Sequence, residues 1–199
     1  MIKTLYMDTE TTGTDPKANG LIQLACIIDI DGEIKAEKEW HIKPFPTDVI
    51  ADKALEVNHI IREELSTFMS PLQARYEIEQ FWGQFINRFQ KGKQRHDKFY
   101  AAGFNVGFDM NVLSAYWKKC GNEYFGSFFN GFQIDPLPLL RLLDWRGDMN
   151  LPDQKLATVC RFLGIELTEA HDALADIRAT RQAMLKMNSM LHIDFGEAK

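Results

Sequence analysis

Three stretches within the first 42 residues carry the pattern expected of β-strands. Residues 2–7, 21–30 and 33–42 are rich in apolar and β-branched side chains, and the third alternates apolar with polar positions. Asp31 and Gly32 separate the second stretch from the third, and this pair tolerates the positive φ angles that a two-residue hairpin turn needs. The pattern therefore predicts a sheet that begins as an antiparallel meander.

Helical periodicity first appears in residues 74–89. Six apolar side chains recur there at a spacing of three or four residues, as expected for one core-facing helix surface: Ile78, Phe81, Trp82, Phe85, Ile86 and Phe89. Short strands are predicted at 98–104 and 132–136, and helices at 108–119, 155–164 and 172–190, with Gly164 ending the second of these helices. Strands followed by alternating strands and helices predict an α/β domain with a mixed sheet, spanning residues 1–199 as one unit.

Composition narrows the class of protein. The 199 residues are 45% hydrophobic and 26% charged, which is ordinary for a soluble domain, and no apolar stretch approaches the length of a membrane span. The three cysteines are scattered without a CxxC pair, which favours reduced thiols and a cytoplasmic location. The net charge of −5 argues against a nucleic-acid partner, but two divalent ions would bring it to about −1.

Two carboxylates end the first predicted strand. Asp8 and Glu10 are two positions apart, so their side chains project from the same face of a strand, about 7 Å apart along the backbone. Two carboxylates so close repel each other, and the neighbouring sequence contains no basic residue to compensate. A bound metal ion is the first explanation.

A third carboxylate follows the strand at 98–104. In "FNVGFD", Asn105 is a suitable N-cap and Asp109 falls in the first helical turn, where the helix dipole favours negative charge. A capped helix start without catalytic function explains this segment equally well.

The fourth carboxylate, Asp176, lies in "HDALADIRAT". Its helical neighbours Ala173 and Thr180 are small, which allows this helix to approach the sheet closely. His171 lies five positions earlier and can converge with Asp176 only if it precedes the helix, where an imidazole could exchange protons near neutral pH. A surface histidine at a helix start is the simpler alternative.

Taken together, four carboxylates and a histidine could surround two hard divalent ions, for which oxygen ligands favour Mg²⁺ or Mn²⁺. At these residues the sequence resembles a known family. "DTETTG", "NVGFD" and "HDALAD" are similar, in order and spacing, to the three motifs of the DnaQ-like 3′–5′ exonucleases of the DEDDh type. "FQIDPLPLLR" and "QKLATVCRFLGI" resemble the connecting segments, so the similarity covers residues 2–185.

The resemblance implies a ribonuclease H-like fold with a five-stranded mixed sheet and helices on both faces. It also implies that Asp8, Glu10 and Asp176 bind one metal ion, that Asp8 bridges to a second, and that Asp109 supports the second through water. His171 would be the general base that deprotonates the attacking water. The implied reaction releases nucleoside monophosphates one at a time from 3′ ends.

The same resemblance implies contacts to the terminal nucleotide. Thr11, Thr12 and Asn105 would hold it, and Glu10 would accept a hydrogen bond from its 3′-hydroxyl. In this family a segment equivalent to "ALEVNHII" lies near the terminal base, which nominates Asn58 and His59 as further substrate contacts.

Two positions depart from the family pattern. Phe104 stands where the family often has a polar residue, and His59 stands where glycine is common. Both departures concern the fit of the terminal base rather than the metal carboxylates.

Residues 88–98 form the main concentration of positive charge. Five basic residues in this segment could steer the phosphate backbone, although a solvated loop would look the same: Arg88, Lys91, Lys93, Arg95 and Lys98.

The expected substrate is single-stranded DNA, because a narrow site at a sheet edge reaches a free end more easily than a duplex. An RNA-directed enzyme of the same family is the alternative, since no residue announces a contact to the 2′-hydroxyl.

Two other roles compete with a freestanding nuclease. One is a proofreading subunit that binds a polymerase or another replication or repair partner, and the second is a catalytically silent module that only binds nucleic acid. A silent module is expected to lack one of the four carboxylates, all of which are present here. An aspartyl-phosphate phosphatase would need DxD in place of DxE.

Overall fold

The computed structural model describes residues 1–87, 97–167 and 172–190. Within these residues, five strands form one mixed sheet: β1 (Lys3–Thr11), β2 (Leu21–Ile30), β3 (Glu33–His41), β4 (Phe99–Ala102) and β5 (Phe129–Ile134). Their order is β3-β2-β1-β4-β5, with β1 antiparallel to β2 and parallel to β4. The predicted mixed sheet with an antiparallel beginning is confirmed.

The first hairpin has the predicted turn, since Asp31 and Gly32 have φ angles of 53° and 89°. β1 is longer than the predicted 2–7, because the chain continues to pair with β2 through Thr11. Asp8 and Glu10 therefore lie within the strand, and the ladder holds both side chains on one face of the sheet.

The described helices are α1 (Asp52–Val57), α2 (Pro71–Gly83), α3 (Val106–Lys119), α4 (Pro136–Trp145), α5 (Leu156–Leu163) and α6 (Ala173–Met190). Short 3₁₀ turns occur at Arg62–Ser66 and Phe125–Phe128. α5 ends at Gly164, which has a φ of 63°, so the predicted glycine stop is confirmed. Among the described residues, none of the helices is both long and apolar enough to cross a bilayer.

The aromatic helix differs from its prediction over 74–89. α2 begins with Pro71 at its first turn and ends at Gly83. Beyond that point the backbone tightens, because the amide of Phe85 bonds to the Trp82 carbonyl three residues earlier. Phe85 and Ile86 thus reach the core from a turn, while Phe89 lies outside the described residues.

α4 was not predicted, because Pro136 looked like the end of a strand. Proline is equally suited to the first position of a helix, and Pro136 occupies that position here. The side chain of Asp135 accepts a hydrogen bond from the Leu137 amide and caps the helix.

The site depends on two helices that lie on opposite faces of the sheet. α3 contacts β1 and β4 on one face, and α6 contacts β1 and β2 on the other. α4 and α5 pack against the outer side of α6 and form a second apolar cluster with it. β1 is therefore covered by α3 and α6 on its two faces.

Candidate active site

Three carboxylates converge on one face of the sheet. Asp8 and Glu10 from β1 and Asp176 from α6 each offer an oxygen atom, and these atoms all lie within 4.8 Å of one another. Residues 8 and 176 are far apart in the chain, so only the docking of α6 onto β1 creates this group.

Asp109 approaches the same part of β1 from α3. The pairing of β1 with β4 ends at Tyr6 and Ala102, so the Thr9 amide lies beyond the ladder. Asp109 Oδ1 accepts a hydrogen bond from that amide at 3.0 Å and another from the Thr9 hydroxyl at 2.6 Å. Asp109 thus takes the place of a missing strand partner, and one of its oxygens is committed to Thr9.

The start of α6 is built to bring Asp176 onto the sheet. Ala173 and Ile177 are buried in the main core, and Asp172 Oδ1 accepts a hydrogen bond from the Ala175 amide at 2.8 Å. A capped helix start directs backbone N–H groups and positive dipole charge toward its first turn, where Asp176 lies. The small residue at 173 permits the close approach that the sequence predicted.

Burial and mutual repulsion raise the pKa values of these carboxyl groups. Desolvation raises the pKa of Glu10 to about 8, with further contributions from Asp176 and Asp109. Desolvation likewise raises the pKa of Asp8 well above its usual range, with Asp109 and Glu10 as the next causes. Burial raises the pKa of Asp109 to about 7, although the hydrogen bonds from Thr9 lower it.

The donor set fits a hard divalent cation. Three carboxylate oxygens within 4.8 Å of one another supply the oxygen ligands that Mg²⁺ and Mn²⁺ prefer, and none of these three ligands is a thiolate or an imidazole. A cation would also offset the repulsion that raises the pKa values of Asp8 and Glu10.

Asn105 has an exposed side chain and lies four residues before Asp109. It is the residue before α3 and has a left-handed backbone, with a φ of 61°, but its side chain makes no capping hydrogen bond. Its amide instead donates to Asp135 Oδ1 at 3.1 Å. Gly103, two residues earlier, allows the close approach to β1, because a Cβ there would lie 2.6 Å from the Met7 backbone oxygen.

The two threonines after Glu10 differ in their availability. Thr11 is half-buried and its hydroxyl donates to the Gly13 carbonyl at 2.7 Å. Thr12 is fully buried, donates to the Val49 carbonyl and accepts from the Gly20 amide. The Thr12 hydroxyl is thus used inside the protein, where it fixes the loop after β1, and the predicted contact of Thr12 with the terminal nucleotide stays a prediction.

Asn58 and His59 follow α1 beside the end of β1. Asn58 is buried, and its Nδ2 donates to the Thr11 carbonyl at 3.1 Å. His59 is exposed and has a φ of 54°, a left-handed conformation that glycine adopts more easily. This backbone conformation explains why glycine suits the position, and histidine adopts it at a modest cost in backbone strain.

His171 and four of the five basic residues lie outside the described residues: Arg88, Lys91, Lys93 and Arg95. Lys98 is described, next to the ion pair between Asp97 and Lys3.

Sequence reasoning missed two residues that support the site. Thr9 and Asp135 do not belong to the metal-binding set. Thr9 donates a hydrogen bond that fixes Asp109, and Asp135 accepts one that fixes the backbone of Asn105. Thr9 could have been suspected from its position between Asp8 and Glu10, since alternation places it on the opposite face, where α3 begins.

The fold and this carboxylate group define a nuclease of the ribonuclease H-like type. The chain matches the RNase_T family, described as exonuclease, over residues 5–184, and it belongs to that family.

Known relatives and structures agree with this assignment. The chain is 27% identical over 183 residues to the PolC-type DNA polymerase III of Bacillus cereus and 28% identical over 187 residues to that of Thermotoga maritima. These alignments cover 92% and 94% of the chain but only 11% and 12% of the polymerases. Escherichia coli exonuclease I, solved with a dT13 oligonucleotide, has the same fold with a TM-score of 0.76 and 22% identity, covering 94% of this chain and 41% of that one.

Proposed function

We propose that this chain is a divalent-metal-dependent 3′–5′ exonuclease that acts on single-stranded DNA ends and releases nucleoside monophosphates. The observation that carries the proposal is the convergence of Asp8, Glu10 and Asp176 within 4.8 Å, with Asp109 tied to the same strand. These are the four carboxylates of the three family motifs, so the chain retains the complete acidic set.

In this proposal Asp8, Glu10 and Asp176 hold one Mg²⁺ or Mn²⁺ ion, and Asp8 and Asp109 serve a second. When bound, the ions supply positive charge that stabilises the entering and leaving oxygens of a phosphoryl transfer. Thr9 fixes the rotamer of Asp109 by two hydrogen bonds, which leaves the other oxygen of this carboxylate for the second ion or its water ligands.

The protein residues divide the remaining work. His171 takes a proton from the attacking water as the oxygen of that water bonds to the terminal phosphorus. The bond from phosphorus to the 3′ oxygen of the preceding nucleotide then breaks. That oxygen takes up a proton, and the terminal nucleotide leaves as a monophosphate. Asn105 and His59, whose side chains are exposed, contact the terminal nucleotide together with Thr11 and Asn58, which are joined by a hydrogen bond.

DNA is proposed ahead of RNA for two reasons. The curated relatives are DNA polymerases, and exonuclease I has been solved with DNA oligonucleotides in its structures. The polymerase relatives also support a second candidate role, in which this chain removes nucleotides for a DNA polymerase that it binds.

The test is a cleavage ladder. Purified protein with Mg²⁺ or Mn²⁺ is incubated with 5′-labelled DNA and RNA oligonucleotides of one sequence, and the products are resolved to single nucleotides. We expect metal-dependent shortening from the 3′ end, faster on DNA, and no products in EDTA.

His171→Ala should lower the turnover by about two to four orders of magnitude, the usual contribution of a general base.

Two variants control this experiment. Asp8→Ala should abolish the ladder, whereas Glu123→Gln, which neutralises an exposed carboxylate beyond the far end of α3, should leave it unchanged. Shortening from the 5′ end, or full activity of Asp8→Ala, would contradict the proposal. Faster cleavage of RNA would mean that RNA, rather than DNA, is the preferred substrate, while the proposed reaction would stand.

A further inference from the structure

The helix that carries Asp176 brings this carboxylate close to other carboxylates. Asp8 and Glu10 lie on the strand beneath it, and the three groups come within 4.8 Å of one another. Before a cation binds, this repulsion acts to separate α6 from β1. The fold must therefore supply an attraction elsewhere between this helix and the sheet.

Arg181 makes such an attachment, five residues beyond Asp176 on α6. Its Nε and Nη2 donate to Asp29 Oδ2 at 2.9 and 2.7 Å, and Nη2 also donates to the Gly32 carbonyl at 2.8 Å. The guanidinium lies 5.9 Å from the centre of the Tyr6 ring, two residues before Asp8 on β1. One side chain thus joins α6 to β1, β2 and the first hairpin turn.

Burial makes this attachment stronger than its neighbour. The Arg181 and Asp29 side chains are only 14% and 7% exposed, and Asp29 Oδ1 also accepts the Gly32 amide at 2.8 Å. Arg178 pairs with Glu37 on β3 from the same helix, but that arginine is 52% exposed. Exposed pairs are screened by water and contribute little, whereas truncating a buried partner leaves a charge uncompensated.

We propose that Arg181, through Asp29, is a positioning residue that holds α6 against the sheet in the metal-free protein and so preforms the metal site. The role rests on the proposed metal-dependent function, but Arg181 is not one of the proposed metal or substrate ligands. α6 advances about 1.5 Å per residue, so the anchor lies roughly 7–8 Å along the helix from Asp176 and acts on it as a rigid element.

The proposal makes a prediction opposite to that of simple electrostatics. Arg181→Gln removes a positive charge near an acidic site. If electrostatics alone mattered, cation binding would become stronger, because the guanidinium would no longer repel the cation. Loss of the anchor should instead weaken Mn²⁺ binding by about tenfold, as expected when a group that orients metal ligands is removed. Arg178→Gln, the matched control, removes the same charge from the same helix and should change the affinity by less than about twofold.

Two measurements on the full chain test the proposal. Calorimetric titration with Mn²⁺ gives the affinity, and hydrogen exchange in EDTA gives the protection of the amides in α6. In Arg181→Gln, amides of residues 173–180 should exchange about tenfold faster than in the parent, while β1 and β2 keep their protection. Saturating Mn²⁺ should restore the protection of α6.

Parent-like or tighter Mn²⁺ binding by Arg181→Gln, or unchanged exchange of α6 in EDTA, would overturn the proposal. Exchange that rises equally in all elements would also overturn it, because it would mean a general loss of stability. If Arg181→Gln does not fold, Arg181→Lys keeps the charge without the planar fork, and parent-like behaviour of that variant overturns the proposal equally. The exchange measurement needs no hydrolysis, so failure of the parent to cleave DNA would count against the proposed function alone.

Discussion

At the scale of single residues, Asp8 is surrounded by other carboxylates. Desolvation and the carboxylates of Asp109, Glu10 and Asp176 all raise its pKa. These interactions oppose folding whenever the groups are charged and no cation is present, so the metal-free protein should be sensitive to pH at this cluster.

The sign of this dependence follows from the direction of the shifts. Carboxyl groups of the unfolded chain titrate at about pH 4, whereas in the folded protein the pKa of Glu10 is about 8 and that of Asp109 about 7. The folded state binds more protons between these limits, so the stabilising contribution is complete below about pH 4 and is lost as the pH rises through about 7 to 8. In EDTA we expect the melting temperature to fall from about pH 5 to about pH 9.

Asp8→Asn should flatten this fall and raise the melting temperature of the metal-free protein at about pH 8. The expected rise is about 2–4 °C for each kcal/mol of repulsion relieved. Scanning calorimetry across the pH range makes the measurement, and Glu123→Gln should follow the parent curve. A metal-free Asp8→Asn protein with the parent's slope would mean that other groups govern the pH dependence.

At the scale of secondary-structure elements, Asp135 links the starts of two helices. Its Oδ1 accepts hydrogen bonds from Leu137 in α4 and from Asn105 before α3. Asp135→Ala should destabilise the fold by about 0.5–2 kcal/mol, the usual cost of losing a helix cap. It should also raise the KM for oligonucleotides more than it lowers kcat, because the backbone of Asn105 loses its support.

Asp135→Asn is the matched variant, because its side-chain oxygen can still accept both hydrogen bonds. It should retain a KM within about threefold of the parent, since a neutral acceptor is weaker than a charged one but still satisfies both donors. Melting curves and steady-state kinetics distinguish the two effects. Equal KM values for the alanine and asparagine variants would show that Asp135 acts only as a cap.

Elements with a strong local signal were predictable from the sequence. The Asp31–Gly32 turn, the glycine stop at 164 and the long helix predicted at 172–190 all agree with the structure. α4 was missed because proline is compatible with both a strand end and a helix start, and only the packing of Leu140 and Leu143 decides between them. α2 ends earlier than predicted because the last apolar side chains of the predicted helix reach the core from a turn instead of from a further helical segment.

The candidate site was predictable only in part. Asp8 and Glu10 stand together because strand alternation is a local rule. The hydrogen bonds from Thr9 to Asp109 and from Arg181 to Asp29 join residues 100 and 152 positions apart, and no local pattern encodes them. Such contacts follow from how helices dock on the sheet.

At the scale of the whole molecule, the net charge of −5 must be reconciled with a polyanionic substrate. Replacing Lys91, Lys93 and Arg95 with glutamine should weaken oligonucleotide binding and reduce the slope of log affinity against log salt by about 2, or about 0.7 for each lost phosphate contact with a single strand. Fluorescence anisotropy at several salt concentrations, in the presence of Ca²⁺ to slow hydrolysis, measures this slope.

A triple variant of equal charge provides the control. Lys35, Lys118 and Lys155 are exposed and scattered over the surface, so replacing them with glutamine should leave the slope nearly unchanged. An equal loss of slope in both variants would mean that total charge, rather than the segment at 88–98, governs binding.

The placement of β1 between α3 and α6 has a consequence for biosynthesis. β1 is synthesised well before α6, so a growing chain on the ribosome contains Asp8 and Glu10 long before Asp176 exists. The cation-binding group is complete only when these sequence-distant elements dock, and contacts of such large sequence separation are slow to form. A nascent chain, held next to messenger RNA during its synthesis, therefore carries an incomplete cluster until α6 has left the ribosome.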